Sequence, residues 1–344
     1  MLTIRNMSLR NWTFAFATLT PAALLGVGAI YGGLWVLAAF VFLTAVTRLL
    51  DGLTRGAAPD STRSTGDGLA ILLAAVHLGL LPLMVWALAG NALGSFEKVG
   101  LFLAAGLWFG QVSNANAHEL IHRSSRHLHR LGMWVYITLL FGHHTSAHVL
   151  VHHRYVATMA DPNTSRAGES LYRYIIRAWT GSFLAGFQAE ATRLQKINRP
   201  AWRNPYVVYV GGAALYLIAA FVIGGWSALV AYVALAAHAQ LQLLMSDYVQ
   251  HYGLMRRRNA NGKREPVGAQ HSWNSPHWFS SALMLNATRH SDHHAHPGRH
   301  YPELTIPNDA PMLPRPLPVM ASIALIPPLW RRIMDPRVDQ WRNA

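Results

Sequence analysis

Six apolar runs, near residues 13–31, 34–50, 69–90, 98–118, 206–224 and 226–247, each hold about the 20 residues that an α-helix needs to cross a bilayer. Together with 52% hydrophobic and 13% charged residues, they predict an all-α chain embedded in a membrane as one unit, residues 1–344, rather than a soluble multidomain protein. Gly32 and Gly33, residues 90–95, and Gly224 and Gly225 interrupt successive runs, so the spans pair as three hairpins with short outer turns. The inner connections are long. Of the lysines and arginines, only Lys98 falls in an outer turn; Arg5, Arg10, Arg48, Arg55, Arg63 and those in residues 123–203 and from Arg256 onward fall on the other side. By the positive-inside rule that side, with both termini, is cytoplasmic. A formal charge of +14 raises the question of nucleic acid, but basic residues interleaved with apolar spans mark cytoplasmic loops, and no nucleic-acid partner is expected. Arg5 and Arg10 precede an apolar run as in a signal peptide; no small-residue cleavage site follows, so the run reads as a retained first span. Residues 57–67 read as a loop.

Histidines stand out against this background, 19 in all. His118 and His122, in H-E-L-I-H, are an i, i+4 pair. His148, His152 and His153 stand at i, i+4 and i+5, and on a helix all three imidazoles could lean toward one point. His290, His293 and His294, in H-S-D-H-H, repeat the arithmetic at i, i+3 and i+4. His251 follows the sixth run, on the same face as Asp247. The nine exceed what one metal needs and suit two, neutral imidazole being the commonest protein metal ligand. All three clusters lie outside the spans, forming a cytoplasmic histidine-box cap on a six-helix bundle. That position disfavours a metal transporter, which needs its ligands near the bilayer midplane.

H-E-x-x-H is also a zinc-protease signature, but a protease needs one metal and about three ligands. The surplus of histidines points instead to a pair of irons handling dioxygen. Glu119, Asp161, Glu169, Asp247 and Asp292 are then expected to hold the remote N–H of ligating imidazoles, Asp292 from inside the third box. Asp161, in Asp-Pro-Asn, reads equally well as a turn residue. His77 and His238, inside spans, read as hydrogen-bonded bundle residues, and Trp35, Phe40 and Phe42 as candidates to line a substrate pocket. The apolar piece after Leu128 is too short to cross and is expected to pack under the cap, while residues 317–330, broken by Pro327 and Pro328, read as interfacial. With no cysteine the chain carries no thiolate-ligated iron of its own, so electrons must come from a separate soluble protein. Arg256, Arg257 and Arg258, followed by Lys263 and Arg264, form the densest basic run and a candidate docking surface for it.

The boxes H-E-L-I-H-R, H-V-L-V-H-H-R-Y-V-A-T with the following D-P-N-T-S-R-A-G-E, Q-H-Y-G-L, and R-H-S-D-H-H-A-H-P-G-R-H-Y-P-E-L resemble the integral-membrane alkane 1-monooxygenase family, over residues 114–304. The resemblance implies two non-haem irons bound by His118, His122, His148, His152, His153, His251, His290, His293 and His294. It also implies terminal hydroxylation of medium-chain alkanes drawn from the bilayer, with dioxygen and electrons from rubredoxin, in a bacterial inner membrane. Ile121 and Arg123 depart from the Gly and Lys common in that family and are similar to the xylene branch, and Val149, Leu150 and Val151 replace a more polar insert. A xylene or alkyl-group monooxygenase and a membrane fatty-acid desaturase, which share the boxes, are the alternatives.

Overall fold

The computed structural model describes residues 9–53 and 64–343. Arg5, Arg55, Arg63 and most of the 57–67 loop lie outside the described residues. Helix α1 is Leu9–Tyr31; after Gly32 and Gly33, both at positive φ, α2 (Leu34–Val41) runs through a π-helical turn, Phe42–Val46, into α3 (Thr47–Leu53). Helix α4 is Asp67–Ala89, and α5 (Ser95–Trp108) continues through a second π turn, Phe109–Ser113, into α6 (Asn114–Ile121). Then come α7 (Arg126–Thr138), the short α8 (His144–Ala147), a third π turn, His148–His152, and α9 (His153–Tyr155). Helices α10 (Leu171–Lys196) and α11 (Tyr206–His251) are the longest. The chain closes with α12 (Trp278–Leu283), α13 (His290–Ala295), α14 (Leu317–Ala324) and α15 (Pro327–Asn343). Among the described residues no strand forms, only isolated bridges between Arg258 and Arg264 and between Asn274 and Met312.

By length and composition Trp12–Tyr31, Leu34–Leu53, Asp67–Ala89 and Tyr206–His251 can each cross a membrane. The fourth apolar run is no single α-helix, since the π turn at Phe109–Ser113 divides it. Helix α11 joins the fifth and sixth runs but breaks at Gly225, where φ is 62° and ψ −157°. Its halves fold back on each other: Gly212 packs on Ile137, while the Tyr232 hydroxyl donates to the carbonyl of the next residue, Thr138. A straight helix would hold Gly212 and Tyr232 roughly 30 Å apart. Only a residue without a Cβ adopts that ψ with positive φ at little cost.

The outer faces of these helices expose Leu34, Leu37, Val41, Ile71, Val210, Leu215, Ile218, Val222 and Ile223. An apolar surface this extensive has lipid as its solvent, and the chain is an integral membrane protein. Inside, polar side chains pair across helices. Trp108 Nε1 donates to the Thr18 carbonyl (2.9 Å), Asn116 Nδ2 to that of Ala70 (2.9 Å) and Asn114 Nδ2 to that of Ala239 (2.8 Å). His77 is held by Ser113 and Thr138, a bundle residue as its position suggested. His238 packs so closely on Gly106 that a Cβ there has no room, and Gln242 does the same at Gly110. These contacts bring α5 and α6 alongside the second half of α11, so that His118, His122 and His251 emerge at the same end of the bundle.

The piece after Leu128 forms α7, whose Val135, Tyr136 and Ile137 are buried. Helix α14 buries Leu317, Met320 and Ala324 against the bundle rather than lying wholly at an interface. Trp35 is exposed and Phe42 packs against Phe16 and Phe279. With Phe40 they stand apart from the cavity at the histidines, which other residues line.

Candidate metal centre

The first box sits on α6 and its C-cap, where i, i+4 spacing aims His118 and His122 the same way. The second box departs from the α-helical expectation. Residues His148–His152 form a π turn, which adds a residue to the coil and brings i and i+5 into register. His148 and His153 therefore converge, with Nε2 atoms 2.9 Å apart, while His152 is rotated away. The three imidazoles do not meet at one point. Helix α13 splits its box likewise: His290 and His294, at i, i+4, approach His251, whereas His293 turns toward His153.

All nine histidines gather into two groups, each able to hold a metal ion: His118, His122, His148, His153 and His293; and His152, His251, His290 and His294. Within the first, Nε2 of His148 lies 2.8 Å from that of His118, and Nε2 of His293 lies 3.1 Å from that of His153. Within the second, Nε2 of His290 lies 3.0 Å from that of His251 and 3.1 Å from that of His294. An imidazole nitrogen offers one lone pair or one hydrogen, so His148 Nε2 cannot satisfy both of its neighbours by hydrogen bonding. A cation among them satisfies every lone pair. At metal–nitrogen distances of roughly 2.1 Å, right-angled ligand atoms stand roughly 3.0 Å apart, the spacing seen here. Burial pushes His122, His148, His153, His290, His293 and His294 well below the ordinary imidazole value, and neighbouring histidines push the same way, so they are neutral and ready to ligate. The donor set therefore fits two metal ions, and an all-imidazole set suits iron as well as zinc.

Of the five carboxylates expected to hold a ligating imidazole, the structure puts only Asp161 there. Its Oδ2 accepts from His152 Nδ1 at 2.8 Å, directing Nε2 into the second group. Its Oδ1 accepts the Asn163 N–H at 3.0 Å, so Asp161 is a turn residue as well. Burial alone would push His152 down; the Asp161 carboxylate outweighs it and holds the imidazole above its ordinary value. Asp292 touches no metal-group histidine. Its side chain is taken instead by residues that follow it, Arg299 (2.6 Å), His296 Nδ1 (2.9 Å) and the Thr305 N–H (2.8 Å), because the segment after α13 wraps around it. Glu119 accepts from the Tyr301 N–H at 2.9 Å and from Arg123 at 2.7 Å, tying the same segment to α6. Glu169 binds Arg177, which also donates to the carbonyls of Pro162 and Thr164 and so clamps the loop that carries Asp161. Asp247 accepts from Asn163 Nδ2 at 2.7 Å rather than from His251.

A narrow cavity of about 70 Å³ reaches the groups at His118 and His290 and is walled by Ala115, Leu243, Met284, Leu317 and Ala321, with Asn114, Tyr136, His144, Asp247 and Gln250. His144 escaped the sequence reading. It is fully buried with its ring 4.9 Å from that of His148, four residues on, a spacing that could have flagged it. Asn163 was hidden in what read as a turn.

Residues 98–308 match the fatty acid desaturase family profile. The chain is 34% identical over 264 residues to alkane 1-monooxygenase 2 of Pseudomonas aeruginosa, covering 76% of this chain and 70% of that one. It is 32% identical over 317 residues to alkane 1-monooxygenase 1 of the same organism, covering 88% and 83%. The chain belongs to the alkane 1-monooxygenase family. As an alkane 1-monooxygenase-like protein it is an oxidoreductase, a monooxygenase. A more distant likeness, 28% over 328 residues (92% of this chain and 86% of the other), runs to the xylene/toluene monooxygenase hydroxylase component of Pseudomonas putida.

Proposed function

We propose that this protein hydroxylates the terminal methyl group of medium-chain alkanes with dioxygen, at an iron pair held one ion per histidine group, using electrons from a soluble rubredoxin-type protein. The observation that carries the reading is the convergence of nine imidazoles into two groups, the second fully buried, beside an apolar cavity. The irons, when bound, would supply the reductive activation of dioxygen. The chain supplies the rest. His118, His122, His148, His153 and His293 hold one ion, and His152, His251, His290 and His294 the other. Asp161 fixes the tautomer and direction of His152. Leu243, Met284, Leu317 and Ala321 exclude water and admit a methyl group by burial alone. Asp247, the only acidic side chain lining the cavity among the described residues, is placed to deliver a proton consumed in dioxygen reduction.

The topology we propose is six spans, the fourth running along Ser95–Ile121 and the last two as the halves of α11, with the cap and both termini cytoplasmic in a bacterial inner membrane. The asymmetry of lysine and arginine supports it. The breadth of the likeness to the xylene/toluene hydroxylase favours methyl groups on aromatic rings as the second reading. Reconstitution with iron and a rubredoxin-type donor, followed by product identification, tests both. Dodecane should give 1-dodecanol. A xylene alcohol with no alkanol would select the second reading, and an alkene would select desaturation.

A further inference from the structure

Helix α10 has an outer face that the proposed chemistry does not use. Its Tyr174 ring lies 5.3 Å from that of Tyr248, its Trp179 Nε1 donates to Gln240 at 2.8 Å, and its Phe183 carbonyl accepts from the Tyr206 hydroxyl at 2.9 Å. Tyr206 and Tyr248 are far apart along α11, yet the fold-back at Gly225 brings both to the histidine end, so α10 crosses that end of the bundle instead of spanning with it. Tyr172, Ile176, Leu184 and Phe187 are exposed and share one face of α10, within about 120° of its circumference at 100° per residue. An apolar face on a helix that crosses the end of a membrane bundle lies in the lipid interface.

A second apolar strip meets the first turn of α10. The Tyr172 hydroxyl donates to the Leu325 carbonyl at 2.7 Å, where α14 gives way to α15, and Leu325, Ile326 and Leu329 are exposed there. Leu325 also lines an apolar cavity with Leu43, Leu107 and Leu241, which sets the strip at the depth of the spans. Next to it opens a polar cavity of about 330 Å³ lined by Arg166, Gly168, Glu169, Ser170, Arg173 and Arg331. The arginines reach it from the loop before α10, from α10 and from α15; all three are exposed, and no guanidinium among them has a hydrogen bond or ion pair with the described residues. The acids at hand are engaged elsewhere, Glu169 by Arg177 (2.7 Å) and Asp335, one turn beyond Arg331, by the Tyr252 hydroxyl (2.7 Å). Three guanidiniums around one cavity repel one another until an anion joins them, and guanidinium holds phosphate bidentately.

We propose that this cavity binds the headgroup of an anionic glycerophospholipid from the leaflet on the histidine side, with Arg166, Arg173 and Arg331 on the phosphate and the acyl chains along Tyr172, Ile176, Leu325 and Ile326. Charge alone would suit a free phosphate or an acidic protein. The apolar strip that starts beside the cavity selects a lipid, since it offers the tails a surface continuous with the bilayer while the headgroup stays at the arginines. Occupancy ties α15 to the loop before α10, whose Gly168 N–H donates to the Tyr252 hydroxyl and whose Glu169 carbonyl accepts from Tyr248. The lipid therefore stabilises the fold by binding it and not the unfolded chain.

The test measures binding of radiolabelled phosphatidylglycerol to the full chain in detergent, with phosphatidylcholine and inorganic phosphate as competitors and thermal unfolding as a second readout. Wild type is compared with Arg331→Gln, with the triple change of Arg166, Arg173 and Arg331 to Gln, and with a charge-matched control, Lys196, Arg199 and Arg203 to Gln, at the other end of α10. We expect saturable binding that weakens at least about tenfold in the triple variant and by a smaller factor in Arg331→Gln, and that stays within about twofold of wild type in the control. Phosphatidylglycerol should raise the unfolding midpoint of wild type and not of the triple variant. Equal affinity in wild type and triple variant, or an equal loss in the control, would overturn the site. Competition by inorganic phosphate as strong as by the lipid would overturn the role of the apolar strip, and equal competition by phosphatidylcholine would overturn the preference for an anionic lipid. Unchanged lipid affinity with a raised KM for a rubredoxin-type donor in the triple variant would overturn the proposal and give the arginines to protein docking.

Discussion

His148 and His153, five residues apart, bring their Nε2 atoms within 2.9 Å of each other across a π-helical turn, while His152 between them serves the other group. One extra residue in the coil thus lets a single segment supply both metals. His148→Ala removes a donor from the first group only and His251→Ala from the second only. Each should lower bound iron to about half of the wild-type content without unfolding the bundle, whose packing lies elsewhere. Metal analysis beside circular dichroism checks this, and loss of all iron from either variant would show that the groups do not load independently.

Asp161 and Asp292 have opposite expectations although each neighbours a box. Asp161→Asn should lower iron affinity or turnover about 10- to 100-fold, because His152 loses the acceptor that directs it. Asp292→Asn should leave iron content unchanged and instead cost about 1–3 kcal/mol of stability, since it frees Arg299, His296 and Thr305. Iron titration and thermal unfolding in the same detergent separate the two, and iron loss in Asp292→Asn would restore it to the metal site.

Arg177 holds the loop of Asp161 through Glu169 and two carbonyls, so Arg177→Gln should destabilise by about 1–3 kcal/mol, a value discounted because its side chain is 25% exposed. Burial raises the Glu169 carboxyl, but Arg177 and the Arg166 N–H outweigh it and hold it below the ordinary value. A depressed carboxylate stabilises the fold fully above its unfolded pKa, about 4.3, and the contribution is lost as pH falls through the lower folded value. The variant should therefore match wild type more closely at pH 3 than at pH 7. An equal gap in unfolding free energy at both pH values would refute the linkage.

The basic run after His251 divides in the structure. Arg256 is stitched to the second box, donating from its backbone to Ala157 and from its guanidinium to Arg154, whereas Arg258, Lys263 and Arg264 are exposed. Changing those three to Gln should raise the KM for a rubredoxin-type donor several-fold and flatten its salt dependence, because steering by exposed charge is screened over about 8 Å at physiological ionic strength. Turnover driven by a small chemical reductant should be unaffected. Unchanged salt dependence with the protein donor would place docking elsewhere.

Apolar runs announced the helices and spacing announced the histidines, because helix length and side-chain direction depend on local geometry alone. The fold-back of α11 was equally legible at Gly224 and Gly225, the second of which takes a positive φ that glycine adopts at little cost. The sharing of histidines was not. It depends on a π turn at His148–His152, a one-residue insertion whose local cost is offset by packing, and on how α13 faces α9 and α11. The carboxylates divide for the same reason. Asp292 sits inside a box yet serves the loop that follows it, while Asp161 reaches His152 because Arg177, on the helix that follows, holds its turn in place. Sequence alone determined which residue types were available and at what helical spacing; which nitrogen faces which lone pair was decided only when non-local packing fixed the rotation of each helix about its axis.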